Sequence, residues 1–452
     1  MNINDESGWL LQGDTNHTHE ITENEIDQLL RLAELEDEWA RKVQEEAEYY
    51  DNASNLRSTA DVMLQQIRLM NVAGTIVQFP FGYFCTFESR RHLFRGENQM
   101  FPHSESSLGR RCRKRDGSRR SDREIEILHV IANMRIAQFR KFIWQFDIIP
   151  QWEGKLSEIN YKALAQHYGL DTFLLDLTND VRTALFFATC KWAGDHFEPL
   201  CQDDIKRSAQ SRYGVIYHSP DWKIDSLNGE KMIKQFMNMQ KEGLRDRPSV
   251  LDTGTFDGIA YQIGLQPFHR CLTQHGYVYA MKNIEDIQNT GDFEKLCFRH
   301  STALSRKIYD MMDGGKKIYP DEGIVKAQNV IDQIRRNALF SEDDLLWAYE
   351  LDEARKDLFP TIDDLRKTLE SDETAELMYE VYGGNTKVHI QIQKAEVSYE
   401  LDEMIKKEIN MQYNDKDFLA PLKIQKYYRT AESIQWRKKR YQYLFGEELD
   451  LE

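Results

Sequence analysis

The sequence predicts an α+β fold, because short strand-like runs alternate with helical patterns along the 452-residue chain. Runs rich in β-branched and aromatic residues recur between about residues 74 and 300, which is typical of short strands. Segments of helical periodicity lie between them, at about 123–146, 156–168 and 180–193. The predicted strands are residues 74–79, 84–87, 92–94, 213–218, 259–263 and 277–281.

An acidic helix is predicted from Thr22 to about Asn71. Thr22 and Glu25 have the spacing of a capping box, in which the hydroxyl and the carboxylate each accept a backbone N–H. Ile21 and Ile26 flank this cap at the spacing of a hydrophobic staple. Leucines follow at helical spacing, so we expect the helix to serve packing or self-association.

The composition argues against several classes of protein. A formal net charge of −16 is unsuited to coating nucleic acid through the overall field, although a local basic site is compatible with it. No apolar run approaches a membrane span, and the first residues lack the basic start and apolar core of a signal peptide. The six cysteines are scattered without metal-site spacing. We therefore expect a cytoplasmic protein with reduced thiols, no metal and no membrane contact.

Residues 160–188 predict a helix, a short buried strand and a second helix in succession. Gly169 is placed to end the first helix, and Leu174 and Leu175 supply the apolar part of the strand. Asp176 follows directly. A carboxylate beside a buried strand must be paired or hydrogen-bonded, because burying it alone is costly. Asp176 therefore needs a partner, either in a ligand or elsewhere in the fold.

A second segment, His92–Glu97, places Arg95 at the end of a predicted strand and Gly96 where the backbone can turn. A guanidinium is a rigid planar fork, which suits bidentate capture of a phosphate. An internal ion pair with Asp176 would explain the same residues without a ligand. The two interpretations are compatible, since a carboxylate behind the arginine could orient it.

The densest charge feature is a basic run at residues 110–123. Each phosphate contact made by such a loop would add a salt-dependent contribution to nucleic-acid binding. No aromatic residue interleaves the run, so base stacking is not expected from the loop alone. The alternative is a solvated loop that precedes the helix at 123–146.

Together these segments resemble the FRG domain, which is named for its Phe-Arg-Gly motif. In two places the chain differs from the family's usual pattern, in which Pro-Thr-Arg precedes the Leu-Leu-Asp motif and Trp follows it. Here the residues are Asp171-Thr172-Phe173 and Leu177, so one arginine that could contact an anion is absent. The matching motifs are Phe94–Glu97, Ser107–Arg110, Gln166–Gly169, Leu174–Thr178, Ala184–Ala188 and Arg270–Tyr277.

The resemblance implies a mixed domain with a small sheet, similar by analogy to the ADP-ribosyltransferases. In that analogy Arg95 would clamp the NAD diphosphate, Thr178 would brace the nicotinamide ribose and Gln274 would hold a ribose hydroxyl. The third position is commonly Glu in transferases, and an amide stabilises a developing cation less than a carboxylate does. The expected catalytic residues are Arg95, Thr178 and Gln274, and the expected cofactor contacts are Arg95, Gly96, His167, Tyr168 and Asp176.

Purely structural roles remain open for several of these residues. His167 and Tyr168 could stack on a base or on nicotinamide, or could belong to an apolar helix face. Asp176 could orient ligand hydroxyls or fasten the strand to the next helix. Gln274 could bind a ribose or serve as a hydrogen-bonded turn residue.

Three regions are predicted along the chain: an acidic helical N-terminal segment at 1–73, an FRG domain at 74–370 and a helical C-terminal segment at 371–452. Both Lys317–Asp321 and Asp357–Thr361 resemble a Phe-Pro-Asp segment that closes many FRG domains, and the closing boundary rests on the second, which is the better match. Residues 310–350 would then form a helical insertion. The terminal helices could form a homo-oligomer interface.

The function implied is NAD-dependent ADP-ribosyl transfer or NAD hydrolysis, as a toxin or a phage-defence effector. Such chemistry depends on charge placement and on a dry, oriented site. One alternative is a non-catalytic module that binds a nucleotide or RNA through Arg95 and the loop at 110–123. Another is a protein-interaction scaffold in which Arg95 and Asp176 are structural.

Overall fold

Strands and helices are interspersed along the chain in the computed structural model, which confirms the α+β class. The structure describes residues 18–46, 48–50, 72–79, 82–85, 92–150, 159–219, 258, 260–263, 266–281, 284–321, 323–350, 357–383, 388–413 and 423–428. The strands are β1 (Thr18–Ile21), β2 (Glu48–Tyr50), β3 (Val72–Phe79), β4 (Gly82–Cys85), β5 (Leu93–Glu97), β6 (Leu174–Thr178), β7 (Cys190–Trp192), β8 (Phe197–Pro199), β9 (Tyr213–Ser219), β10 (Ala260–Gln262), β11 (Gly276–Ala280), β12 (Glu294–Arg299), β13 (Leu339–Ser341), β14 (Gln391–Gln393) and β15 (Lys423–Tyr428). The α-helices are α1 (Glu23–Glu46), α2 (Ser107–Arg111), α3 (Asp122–Ile143), α4 (Tyr161–His167), α5 (Val181–Thr189), α6 (Gln202–Lys206), α7 (His269–Thr273), α8 (Thr302–Met311), α9 (Gln328–Arg336), α10 (Glu342–Glu350), α11 (Ile362–Leu369), α12 (Asp372–Tyr382) and α13 (Glu403–Tyr413).

A seven-stranded sheet within the described residues organises the fold, in the order β1-β12-β9-β5-β6-β11-β10. Neighbouring strands are antiparallel, except that β1 and β12 are parallel. The strands that carry Arg95 and Asp176, β5 and β6, lie side by side near the centre. Among their described residues, Phe94 and Thr178 are the paired positions, so the ladder does not extend to Arg95. The two strands therefore leave an opening beside this arginine.

The two faces of the sheet carry different residues. Phe94 packs with α5 and α1 on one face, whereas Leu93 packs with Leu175 and Tyr217 on the other. Successive strand residues point to opposite faces. Arg95 therefore shares the face of Leu93, and Asp176 shares the face of its strand neighbour Thr178, which is paired with Phe94. The side chains of Arg95 and Asp176 thus leave the sheet on opposite sides.

Gly96 is required where β5 meets α5. A Cβ atom at this position would lie 1.8 Å from the carbonyl oxygen of Ala184 and 2.9 Å from the backbone nitrogen of Ala188. Backbone atoms of a helix cannot yield as a flexible side chain can. The glycine of the Phe-Arg-Gly motif thus allows helix and strand to approach closely.

The helix α4 ends as the sequence predicts. Gly169 has φ of 90°, which favours glycine, and its N–H donates to the Gln166 carbonyl at 3.0 Å. The N–H of Leu170 donates to the Ala165 carbonyl at 3.0 Å. These two bonds form a Schellman motif, which satisfies carbonyls at the end of the helix. The chain is turned by this motif toward β6.

The N-terminal helix begins as predicted and ends earlier. The Glu25 N–H donates to Thr22 Oγ1 at 3.4 Å, and Ile21 and Ile26 are both buried. The helix ends at Glu46, and residues 48–50 form β2, which pairs with β15. The prediction of helix through these three residues is therefore wrong, because strand pairing satisfies their backbone groups. Residues 51–71 lie outside the described residues.

Most other predicted elements agree in type and differ at their ends, but the helix predicted at 180–193 ends at Thr189. Residues 190–192 form β7 instead, because they pair with β8, so that part of the prediction is wrong. The helix predicted at about 123–146 is α3, which starts from a Ser121–Glu124 capping box. The helix predicted at 156–168 begins at Tyr161, and residues 156–158 lie outside the described part. Parts of two predicted strands, residues 86–87 and 259, also lie outside it. Among the described helices, none has both the length and the apolar character needed to cross a bilayer.

The C-terminal region shares a hydrophobic core with α3. Leu128 of α3 belongs to the same buried cluster as Phe340, Leu365 and Met378. Residues on both sides of the predicted boundary at 370 therefore pack into one core. The strands β13 and β14 also pair across this boundary.

Replacing Gly96 with Ala should lower the free energy of unfolding by about 1–3 kcal/mol or more, because the methyl group would collide with α5. Chemical denaturation monitored by circular dichroism measures this loss. Gly117→Ala is the matched control, since nothing lies within 4 Å of a Cβ there and its loss of stability reports only the strain of a positive φ of 85°, without a collision. Equal stability of the Gly96→Ala variant and the wild type would contradict the close approach.

Candidate anion-binding site

Arg95 is held by two acceptors at the opening between β5 and β6. Its Nε donates to Glu97 Oε1 at 3.0 Å, and its Nη1 donates to the main-chain carbonyl of Asp176 at 3.0 Å. The ion-pair partner of Arg95 is therefore Glu97. The interpretation in which Arg95 pairs with the Asp176 carboxylate is wrong. Strand alternation is the reason, because it places these two side chains on opposite faces. The Arg95 side chain is 19% exposed, and its Nη2 has no acceptor among the described residues.

Glu97 is the buried counter-charge of Arg95. Its side chain is 5% exposed, and Oε1 also accepts the Ser104 hydroxyl at 2.6 Å. Burying a carboxylate is costly unless it is paired and hydrogen-bonded, and these two donors satisfy Oε1, while Oε2 is buried without a hydrogen-bond partner among the described residues. The role of Glu97 could have been found from the sequence, since residues two apart on a strand share a face.

Asp176 is fixed by Gln166. The Gln166 amide donates to Asp176 Oδ2 at 3.2 Å, while its oxygen accepts the hydroxyls of Thr172 at 2.6 Å and Ser107 at 3.1 Å. The Asp176 side chain remains 43% exposed. It is therefore an oriented carboxylate that solvent or a ligand can reach. Gln166 belongs to the Gln-His-Tyr-Gly motif but was not singled out from the sequence.

His167 and Tyr168 lie mainly inside the fold. Tyr168 is buried between two phenylalanine rings, so its own ring is not open to a ligand. His167 is also buried, with Nε2 3.9 Å from Asp176 Oδ1. Burial lowers the pKa of His167, although Asp176 and a hydrogen bond with Gln274 oppose the shift. The imidazole is therefore neutral near pH 7.

The expected catalytic positions converge at one end of three neighbouring strands, but two of them are engaged internally. The register joins Phe94 of β5 to Thr178 of β6 and Thr178 to Gly276 of β11. The buried Thr178 hydroxyl donates to the Gln274 carbonyl at 2.8 Å. The buried Gln274 amide donates to the Ile318 carbonyl at 3.0 Å. These bonds suit a bracing role for both residues, and their predicted catalytic roles stay predictions.

A buried polar chain that the sequence did not reveal lies on the Phe94 face of the sheet. His92 Nδ1 and His218 Nε2 are 2.6 Å apart, and His218 Nδ1 contacts Glu294 Oε1. All three side chains are buried. The carboxylate orients the His218 imidazole toward His92. Because His218 and Glu294 are register partners, their contact joins β9 and β12.

The basic run at 110–123 directs much of its charge inward. Arg111 pairs with Asp171 at 3.5 Å, Arg119 pairs with Glu285 at 3.0 Å and Arg120 pairs with Glu380 at 2.8 Å. Arg113 contacts Glu105, and Arg123 donates to the Thr368 hydroxyl at 3.0 Å. These contacts hold the run against the domain and neutralise part of the charge that a nucleic acid would need.

The fold and this hydrogen-bonded site define an α+β domain in which an arginine at a strand end is held by a buried carboxylate. The family model of the FRG domain matches residues 90–196, so this part of the chain is an FRG domain. The match includes Arg95, Gln166 and Asp176 and ends before Gln274. Searches of curated proteins and of solved structures found no match.

Replacing His167 with Gln should flatten the loss of stability in acid. The pKa of His167 is lowered in the folded state from its usual 6.5, so the unfolded chain binds the proton more tightly. Its contribution to stability is present above about pH 6.5 and is lost as the pH falls through the folded pKa. Urea denaturation at pH 7.5 and 5.5 measures the difference.

The exposed His196 provides the control, because its Asp195 partner raises the pKa of His196. The variant His196→Gln should lose at least as much stability as the wild type between the two pH values, because it gives up a group whose protonation is favoured in the folded state. Identical losses for wild type and His167→Gln would show that His167 does not carry a buried neutral imidazole.

Proposed function

We propose that the FRG domain binds NAD through Arg95 and breaks the bond between nicotinamide and ribose, transferring ADP-ribose to an acceptor or to water. The observation that carries this proposal is the Arg95 guanidinium, fixed on one side by Glu97 and the Asp176 carbonyl and open at Nη2. An arginine already ordered by the protein loses little side-chain freedom when it binds a phosphate.

Asp176 is the carboxylate best placed to support the chemistry. When the glycosidic bond breaks, its electron pair leaves with nicotinamide, and positive charge develops on the ribose. A fixed carboxylate stabilises that charge in the transition state. The oxygen of the acceptor or of water then bonds to the ribose carbon and releases its proton to solvent. The Asp176 carboxylate is partly exposed and its main-chain carbonyl accepts a hydrogen bond from Arg95, whereas Gln274 is buried and bonded to Ile318.

The alternatives make different demands on the same residues. A binding module would use Arg95 without needing the Asp176 charge. A nucleic-acid partner would depend on the loop at 110–123, where Lys114 and Arg115 are exposed. A scaffold would use Arg95 only to satisfy the buried Glu97. The effector role, as a toxin or in phage defence, is supported by the family resemblance alone.

Replacing Asp176 with Asn should leave NAD affinity within a few-fold of wild type and lower turnover about 10²–10³-fold, because the developing cation loses its counter-charge. Isothermal titration calorimetry measures binding, and nicotinamide release measures turnover, with cell lysate supplied as a source of acceptors. Arg95→Lys should weaken NAD binding and turnover together, because lysine keeps the charge and loses the fork.

Two controls keep these results interpretable. Arg306→Ala removes a 64% exposed arginine on α8 and should behave as wild type. Denaturation of Arg95→Lys and Arg95→Ala shows whether each variant is folded, since loss of the Glu97 partner also lowers stability. Wild-type NAD binding without turnover, unchanged in Asp176→Asn, would support a binding module. Absence of both binding and turnover in folded wild-type protein would contradict the proposal.

A further inference from the structure

A second arginine, Arg110, is tied to the same hydrogen-bonded network as Arg95. Its Nη1 donates to the Glu105 carbonyl at 2.8 Å. The preceding residue, Ser104, donates to the Glu97 carboxylate that holds Arg95. The short helix α2 therefore carries Arg110 to the side of the sheet on which Arg95 and Glu97 lie.

The other end of α2 is fixed to the Asp176 side of the site. The Ser107 hydroxyl donates to Gln166 Oε1, and the Gln166 amide donates to the Asp176 carboxylate. The N–H of Leu108 donates to the Thr172 carbonyl at 3.0 Å. Hydrogen bonds thus run from Arg95 to α2 by two routes, one through Glu97 and one through Asp176. This double attachment fixes the position of Arg110 relative to Arg95.

Arg110 lacks a carboxylate partner of its own among the described residues, although three carboxylates lie around it. Glu97 pairs with Arg95, Glu105 pairs with Arg113 and Asp171 pairs with Arg111. Desolvation by its neighbours and the positive charge of Arg95 lower the pKa of Arg110, although the residue remains exposed, and these three carboxylates only partly compensate. An arginine remains protonated under such conditions. Two neighbouring guanidinium groups thus favour the arrival of negative charge.

We propose that Arg110 and Arg95 together hold two adjacent phosphate groups, so that the site selects a nucleoside diphosphate moiety over a monophosphate. This inference rests on the proposed function and assigns the diphosphate of the dinucleotide to the arginine pair. Arg95 and Arg110 each keep N–H groups that their protein acceptors do not use, so each guanidinium can bind one phosphate through a charge-assisted hydrogen bond. Two adjacent phosphates need both arginines, whereas one arginine is sufficient for a single phosphate. The inward pairing of the loop at 110–123 favours a small ligand over a nucleic acid.

Calorimetric titration with ADP, AMP and adenosine tests this inference. Wild type should bind ADP more tightly than AMP, and Arg110→Gln should lose this preference, with ADP affinity reduced about tenfold to a hundredfold. Adenosine affinity should not change, because adenosine carries no phosphate. Arg115→Gln removes an exposed arginine of the same loop and should keep the wild-type preference.

Several outcomes would overturn the inference. One is that the wild type does not bind ADP, and another is that Arg110→Gln binds ADP as tightly as the wild type. A third is that Arg110→Gln loses affinity for ADP and for adenosine equally. A fourth is that Arg110→Gln loses affinity for a single-stranded RNA and keeps its affinity for ADP. Turnover of NAD that is independent of Arg110 would also overturn it and leave the proposed function standing. Arg110-dependent ADP preference without NAD turnover would support the inference and remove the proposed enzymatic activity.

Discussion

The site depends on how one guanidinium is held where two central strands stop pairing. Arg95 donates to a buried carboxylate two residues along its own strand and to a main-chain carbonyl of the next strand. Each partner is needed, since Glu97 could not stay charged and buried without a cation, and the opening beside β6 would leave a carbonyl without a donor. These two bonds leave Nη2 of Arg95 without an acceptor among the described residues. Structural and functional roles of this residue are therefore compatible.

The motif residues around Arg95 have separate physical reasons to be present. Gly96 lets α5 approach the strand, and Gly169 ends α4 so that the chain can enter β6. Gln166 is the hub that joins α2 to Asp176. None of these three residues needs to touch a ligand. They hold the strand of Arg95 and the carboxylate of Asp176 in place, and electrostatic catalysis depends on charges that are fixed before the reaction.

Local signals explain which parts of the fold could be predicted from sequence. The capping box at Thr22 and the glycine at position 169 depend on neighbouring residues and are confirmed. The strand β12 was missed because Glu294 and Arg299 give it charged ends, although Leu296 and Phe298 alternate as in a strand. The helix expected to continue past Glu46 ends there because β2 pairs with β15, a partner far along the chain.

In the site, too, local motifs could be predicted from the sequence and contacts between distant residues could not. Arg95, Gly96 and Asp176 were predicted as site residues from local motifs that resemble the FRG domain; the domain match is confirmed, and their roles stay predictions. The partnership of Arg95 and Glu97 was not identified, although strand alternation could have suggested it. The burial of Gln274 by the Ile318 carbonyl could not be foreseen, because it depends on a tertiary contact between distant residues.

Crystal structures of the free protein and of its complex with ADP-ribose test most directly whether Arg95 is fixed before a ligand arrives. We expect the same Arg95 rotamer in both, with Nε on Glu97 and Nη1 on the Asp176 carbonyl. In the complex, phosphate oxygens should lie about 2.7–2.9 Å from Nη2. A guanidinium that turns to the Asp176 carboxylate, or ADP-ribose bound away from Arg95, would contradict this account.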